Sequence, residues 1–154
     1  MKKVNTNNFK KTLSKFSTGI TVVCVKNNNS IYGKTVNSFN SLSLNPPMVL
    51  FSLGNYSSSI KKFSKTKFLS INILSSKQKK LSDNFASTTP KLEKIKFTEG
   101  KNKTVIIPNC IANLECKLID KIKKGDHIIF ICKILELQSN DKLKPLVYFN
   151  SKYF

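Results

Sequence analysis

Between Gly33 and the Pro46-Pro47 pair the chain reads GKTVNSFNSLSLNPP, with Thr35, Asn37, Ser38, Asn40, Ser41 and Ser43 threaded between Val36, Phe39, Leu42 and Leu44. This alternation predicts a strand with apolar side chains towards a core and a row of hydroxyls and amides on its other face. Such a row can hydrogen-bond a polar ligand, or simply form the outer face of a surface strand. Further on, Ser57, Ser58 and Ser59 precede IKKF. At a helix start they would set hydroxyls beside free backbone N–H groups, as a plain N-cap or a seat for a phosphate. His127 is the single histidine. As strand neighbours, Asp126 and His127 are expected to face opposite sides and to form no carboxylate–imidazole pair.

The rest of the usual catalytic repertoire is thin. Eight acidic residues and one histidine leave little for general acid–base work. No G-x-S-x-G elbow, G-x-G-x-x-G fingerprint or GxxxxGK[ST] loop occurs. Cys24, Cys110, Cys116 and Cys132 show no CxxC spacing, so no metal site is expected and the thiols read as small buried hydrophobes of a reducing, cytoplasmic protein. A reaction that borrows its chemistry from a bound cofactor asks least of such side chains.

Composition sets further bounds. The 154 residues suit a single domain, 1–154, and the formal charge of +19 comes from 27 basic residues, all of them lysine. Nucleic-acid readers lean on the arginine fork, and these lysines are spread along the whole chain rather than gathered in a stripe. The charge therefore reads as a solvated surface rather than a nucleic-acid footprint. The start MKKVNTNNFKK has no apolar core of a signal peptide, and no apolar run is long enough to cross a bilayer.

The elements that must position these groups follow from periodicity. Phe9, Leu13 and Phe16 predict a short helix closed by Gly19. ITVVCV, the polar turn NNNS and IYGKTVNSF make a hairpin. PPMVLFSL opens on prolines at a strand entrance and continues as a buried strand. NYSSSIKKF predicts a short helix carrying Ile60 and Phe63, and FLSINIL another strand. In SSKQKKLSDNFA, Ser75 and Gln78 have capping-box spacing, with Leu81 and Phe85 on one helical face. Residues 87 to 109 read as an irregular excursion, and CIANLECKLI, GDHIIFICKILEL and PLVYF supply the last strands. Many strands with few, short helices argue for a mainly β, antiparallel barrel.

In their order and spacing, FKKTLSKFSTGITVV, YGKTVNSFNSLSLNPPMVLFSL, SSSIKKF, FLSINIL, QKKLSDNFA, IANLEC, GDHIIFICKI and PLVYFNSKY resemble the short flavin reductase family. These are FMN-binding split-barrel reductases that supply reduced flavin to two-component monooxygenases, and the resemblance runs in register from Phe9 to Tyr153. It implies a homodimeric NAD(P)H:flavin oxidoreductase passing hydride from NADH or NADPH to FMN or FAD, with a separate monooxygenase as possible partner.

Residue by residue, the resemblance places Thr35, Val36, Asn37 and Ser38 along the flavin ring and ribityl chain, with Ser41, Leu42 and Ser52 just beyond. Tyr56, Ser57, Ser58, Ser59 and Lys62 match the turn and helix start that hold phosphate or adenylate. Asn84, Phe85 and Ala86 match a third flavin-proximal segment, and His127 and Tyr153 match the nicotinamide side. The chain departs from the family at Lys10, where arginine is frequent, at STTPKLEKIKF, which replaces an acidic-aromatic signature, and at Ser151, where glycine is frequent. Two other readings remain: a flavin-storing protein of the same fold without reductase turnover, and a lysine-based nucleic-acid module.

Overall fold

The computed structural model describes residues 1, 3–28, 30–57, 59–93 and 95–154. Helix α1 (Thr6–Leu13) starts at Asn5, whose side chain accepts the Asn8 N–H at 2.9 Å. It ends with Ser14 as C-cap, not at Gly19, which lies in the short strand β1 (Thr18–Gly19). Then follow β2 (Thr21–Asn27), β3 (Ser30–Val36), β4 (Asn40–Ser43), β5 (Met48–Gly54), α2 (Ile60–Lys65) and β6 (Phe68–Ile73). A 3-10 turn at Ser76–Gln78 leads into α3 (Lys79–Ala86). Among its described residues the excursion holds only a small hairpin, β7 (Thr98–Glu99) and β8 (Val105–Ile106), before the long strands β9 (Ala112–Lys124) and β10 (His127–Ser139). The chain closes on β11 (Val147–Phe149) and β12 (Lys152–Tyr153).

Seven strands form one antiparallel sheet in the order β3-β2-β6-β9-β10-β5-β4. Its two ends approach where β3 comes near β5, so the sheet curls into a barrel whose seam is not closed by a strand ladder. The mainly β, antiparallel split barrel expected from the sequence is therefore the fold observed. A second sheet, β1-β11-β12, ties the start of the chain to its end.

Strand β2 explains why ITVVCV carries apolar residues on both of its faces. Val23 and Val25 enter the barrel interior with Phe51, Phe63, Leu69, Ile71 and Phe130, while Val22 and Cys24 enter a second core with Leu74, Phe85, Ile107 and Leu146. Both faces are buried, so the period of two disappears from the sequence. Strand β5 keeps that period, with Val49, Phe51 and Leu53 buried and the intervening residues half-buried, rather than being buried throughout. Phe51 and Phe130 stack at 5.0 Å in the barrel core.

The capping box forms as spaced: Ser75 N–H donates to Gln78 Oε1 at 2.9 Å, and the Gln78 amide reaches on to the Pro108 carbonyl at 2.9 Å. All four cysteines are free and buried, and burial raises each thiol pKa, Cys110 to about 11 and Cys132 to about 12. Among the described residues no group of side chains could hold a metal ion, and no helix is long and apolar enough to cross a membrane.

Candidate functional site

The stretch from 35 to 43 is not one strand. It breaks at Asn37–Phe39, because β3 ends at Val36 and β4 begins at Asn40. The break falls at the seam of the barrel, where the Ser38 hydroxyl donates to the Ser52 carbonyl at 3.1 Å and accepts the Ser52 N–H at 3.0 Å. One hydroxyl thus serves two backbone groups of β5 that no strand pairs. Asn37 beside it is exposed, and its amide has no partner among the described residues. Thr35 Oγ1 donates to the Ser82 carbonyl at 2.7 Å, which fastens β3 to α3.

The seam opens into a cleft of about 530 Å³, a size usual for small-molecule sites. Its wall includes Thr35, Val36, Asn37 and Ser38 from the β3 side and Ser52 from β5. Tyr56 and Ser57 follow β5, Ala86 ends α3, and His127 starts β10. Nine of the residues singled out from the sequence therefore share one cavity.

The loop after β5 reaches this place because Asn55 N–H donates to the Asp126 carbonyl at 2.9 Å, alongside the pairing of His127 with Gly54. The Tyr56 ring lies over Gly54, where a Cβ would stand 2.6 Å from it. Ser59 is the residue before α2 but makes no side-chain cap; its hydroxyl and that of Ser57 lie 3.2 Å apart.

His127 departs from the expectation of an unpaired ring. Its Nδ1 lies 2.7 Å from Asp126 Oδ1. The strand argument fails because Asp126 sits in the two-residue turn between β9 and β10, where side chains do not alternate. Gly125 takes φ 55° at the first position of that turn, the place glycine fills in type II′ hairpins. A carboxylate only accepts, so Nδ1 carries the proton and donates; in the neutral form of the ring the lone pair is then on Nε2. Hydrogen bonding from the imidazole holds the Asp126 carboxyl below its ordinary value.

Other singled-out residues lie elsewhere. Ser41 and Leu42 are exposed on β4 and line no part of this cleft. The Phe85 side chain is wholly buried, packed so closely on Gly33 that a Cβ there would stand 2.5 Å from its ring. Asn84 clamps the following loop, donating to the Lys91 carbonyl at 2.9 Å and accepting the Lys91 N–H at 3.0 Å. Lys62 places its ammonium 5.4 Å from the Tyr32 ring centre. Tyr153 packs against Tyr148 and shares a 2.9 Å hydrogen bond with the Ser82 hydroxyl, so it borders α3 rather than the cleft. Ser58 lies outside the described residues.

Sequence reasoning missed four residues of the cleft wall: Leu53 and Gly54 at the end of β5, and Lys34 and Thr88. Lys34 is one lysine among many, and Thr88 falls in the segment without periodicity. No local pattern marked either.

Comparison with known proteins gives a consistent set of similarities. A family model described as "Flavin reductase like domain" matches residues 13–154. The chain is 33% identical over 137 residues to FMN reductase (NADH) SmoA of Agrobacterium fabrum, covering 89% of this chain and 79% of that protein. It is 31% identical over 145 residues to the reductase component of 4-hydroxyphenylacetate 3-monooxygenase of Thermus thermophilus, covering 94% and 93% of the two chains. The solved structure of flavin reductase PheA2 in its native state superposes with a TM-score of 0.92 at 33% identity, over 98% of this chain and 97% of that one.

Proposed function

The chain belongs to the flavin reductase-like family, and we propose that it is an NAD(P)H:flavin oxidoreductase whose site is the cleft between the Thr35–Ser38 wall and His127. The observation that carries this reading is that shared cleft, which joins an unpartnered amide at Asn37 to an imidazole held in one tautomer. FMN or FAD fits what the residues offer: polar groups along one wall, the Ser57 hydroxyl at one end, and no acidic side chain among the described wall residues to repel a phosphate. Bound flavin supplies the two-electron chemistry, accepting hydride from NADH or NADPH.

The chain's own contributions are binding and alignment. Asn37 offers an amide donor and acceptor to the flavin, and the Thr35 and Ser38 hydroxyls, already committed to backbone carbonyls, hold that wall in place. His127, fixed through Nδ1, presents Nε2 as an acceptor for the carboxamide N–H of a nicotinamide. No proton transfer is needed at the hydride step, which fits the scarcity of acidic residues and histidine.

The protein acts as a homodimer in this reading. Phe9 and Leu13 of α1 and Phe16 just after it are exposed at 57%, 55% and 76%, beside an open 810 Å³ hollow that also reaches Asn37 and Ser38. Apolar surface of that kind is what a second copy would cover. Reduced flavin would then pass to a separate monooxygenase, as the name of the Thermus thermophilus relative implies for that protein.

The deciding experiment is the absorption spectrum of the purified chain with added FMN or FAD. Bleaching of the flavin band under NADH or NADPH, without oxygen, supports the reductase. Bound flavin that stays yellow points to storage. A protein that ignores flavin but retards DNA with steep salt dependence points to the lysine-based module.

A further inference from the structure

Lys34 stands where two clefts meet. It lines the 530 Å³ cleft of Asn37 and His127, and also an adjoining cleft of about 360 Å³ walled by Ile31, Tyr32, Ser59 and Leu92. Thr88 is the other residue common to both. The Lys34 ammonium donates to the Ser87 carbonyl at 2.8 Å, just past the end of α3, which fixes its position and leaves two N–H groups unused.

Its charge is not answered locally. Among the described residues lining either cleft none is acidic, and the lysine–carboxylate pairs of the described chain, Lys26–Glu99 and Lys101–Glu136, are elsewhere. A half-buried cation with free donors and no counter-ion favours an anion beside it. Partial removal from water also lowers its pKa, an effect that a bound anion would reverse.

We infer that Lys34 grips the phosphate of a flavin nucleotide and so makes this protein select flavin nucleotides over riboflavin. The inference rests on the flavin occupying the Asn37–His127 cleft. The phosphate would then lie at the junction, with the second cleft open to whatever the phosphate bears. One charge-assisted hydrogen bond corresponds to roughly a tenfold change in affinity or more.

The test is a pair of fluorescence-quenching titrations, FMN and riboflavin, on the full chain and its variants. Lys34→Gln should raise the FMN Kd by about tenfold or more, leave riboflavin within about twofold, and flatten the salt dependence of FMN binding. Lys34→Arg should keep most of the preference, and Lys34→Met, which preserves the alkyl stem, should behave as Lys34→Gln does. Equal weakening of both flavins, or no change for either, overturns the inference. Asn37→Ala separates the two levels of the argument. If it weakens both flavins, the cleft reading stands and the Lys34 result is judged alone; if it weakens neither, the cleft reading fails and the inference falls with it.

Discussion

Replacing Ser38 by alanine should destabilise the flavin-free protein, whereas the same change at Asn37, one residue away, should leave that stability almost unmoved. The Ser38 hydroxyl bonds both the carbonyl and the N–H of Ser52, at 3.1 and 3.0 Å. Ser52 pairs opposite Ile129 on one side, while β4 flanks β5 only along Met48, Val49 and Leu50. The two backbone groups therefore depend on this hydroxyl. Two hydrogen bonds at about 0.5–1.5 kcal/mol net each give about 1–3 kcal/mol. Ser38 is half-buried, so water can replace part of the loss, and the lower part of the range, about 1–2 kcal/mol, is expected.

For a chain of 154 residues each kcal/mol shifts Tm by roughly 2–4 °C, so Ser38→Ala should melt about 2–8 °C lower. Scanning calorimetry without flavin measures this, and a flavin titration of the same samples gives the other half. Asn37→Ala should weaken flavin binding by about 1–3 kcal/mol while its flavin-free Tm stays within about 1 °C of the parent. A Ser38→Ala protein that melts with the parent, or an Asn37→Ala protein that melts well below it, would refute the assignment of the two roles.

Other changes test other parts of the structure. His127→Ala should raise KM for the nicotinamide and lower kcat/KM with flavin affinity nearly unchanged; loss of flavin with intact nicotinamide kinetics would put His127 on the wrong side of the cleft. Asn150 and Ser151 both have positive φ, 50° and 62°, in the two-residue turn between β11 and β12, a type I′ pattern that favours Asn-Gly. Ser151→Gly should therefore raise stability by about 1 kcal/mol, and a lower Tm would contradict the strain argument. Glu115 is 6% exposed; burial pushes its carboxyl up, but Thr104 Oγ1 and the Lys101 and Asn102 N–H groups outweigh this and hold it below the ordinary carboxylate range. A depressed folded pKa gives stability that is present above the unfolded value and lost as pH falls through the folded one. The Tm gap between the parent and Glu115→Gln should thus be widest near neutrality and shrink below about pH 4, and a gap independent of pH would overturn that account.

What the sequence determined by itself is the local chemistry. The spacing of Ser75 and Gln78 is enough for a capping box, since the partners are three residues apart and helix geometry brings them together. The run ITVVCV announced one strand of a hairpin, because that depends on a few neighbouring residues. The order of segments also carried the family resemblance, and with it the residues gathered in the cleft.

What the sequence left open is whatever depends on partners distant in the chain. Ser38 looked like a ligand donor until the barrel seam set it against Ser52, fourteen residues on. Lys34 is indistinguishable from other surface lysines until the end of α3 offers it the Ser87 carbonyl and two clefts meet around it. Asp126 and His127 were expected to diverge because strand alternation was applied across a turn, and only the backbone path of the hairpin decides that they meet. The α1 periodicity marked an apolar face but not its surroundings, and the fold leaves Phe9, Leu13 and Phe16 uncovered by the rest of the chain. Periodicity fixes which side of an element is apolar through bonds within a few residues; which side is covered is set by closure of the barrel, where segments far apart in sequence meet.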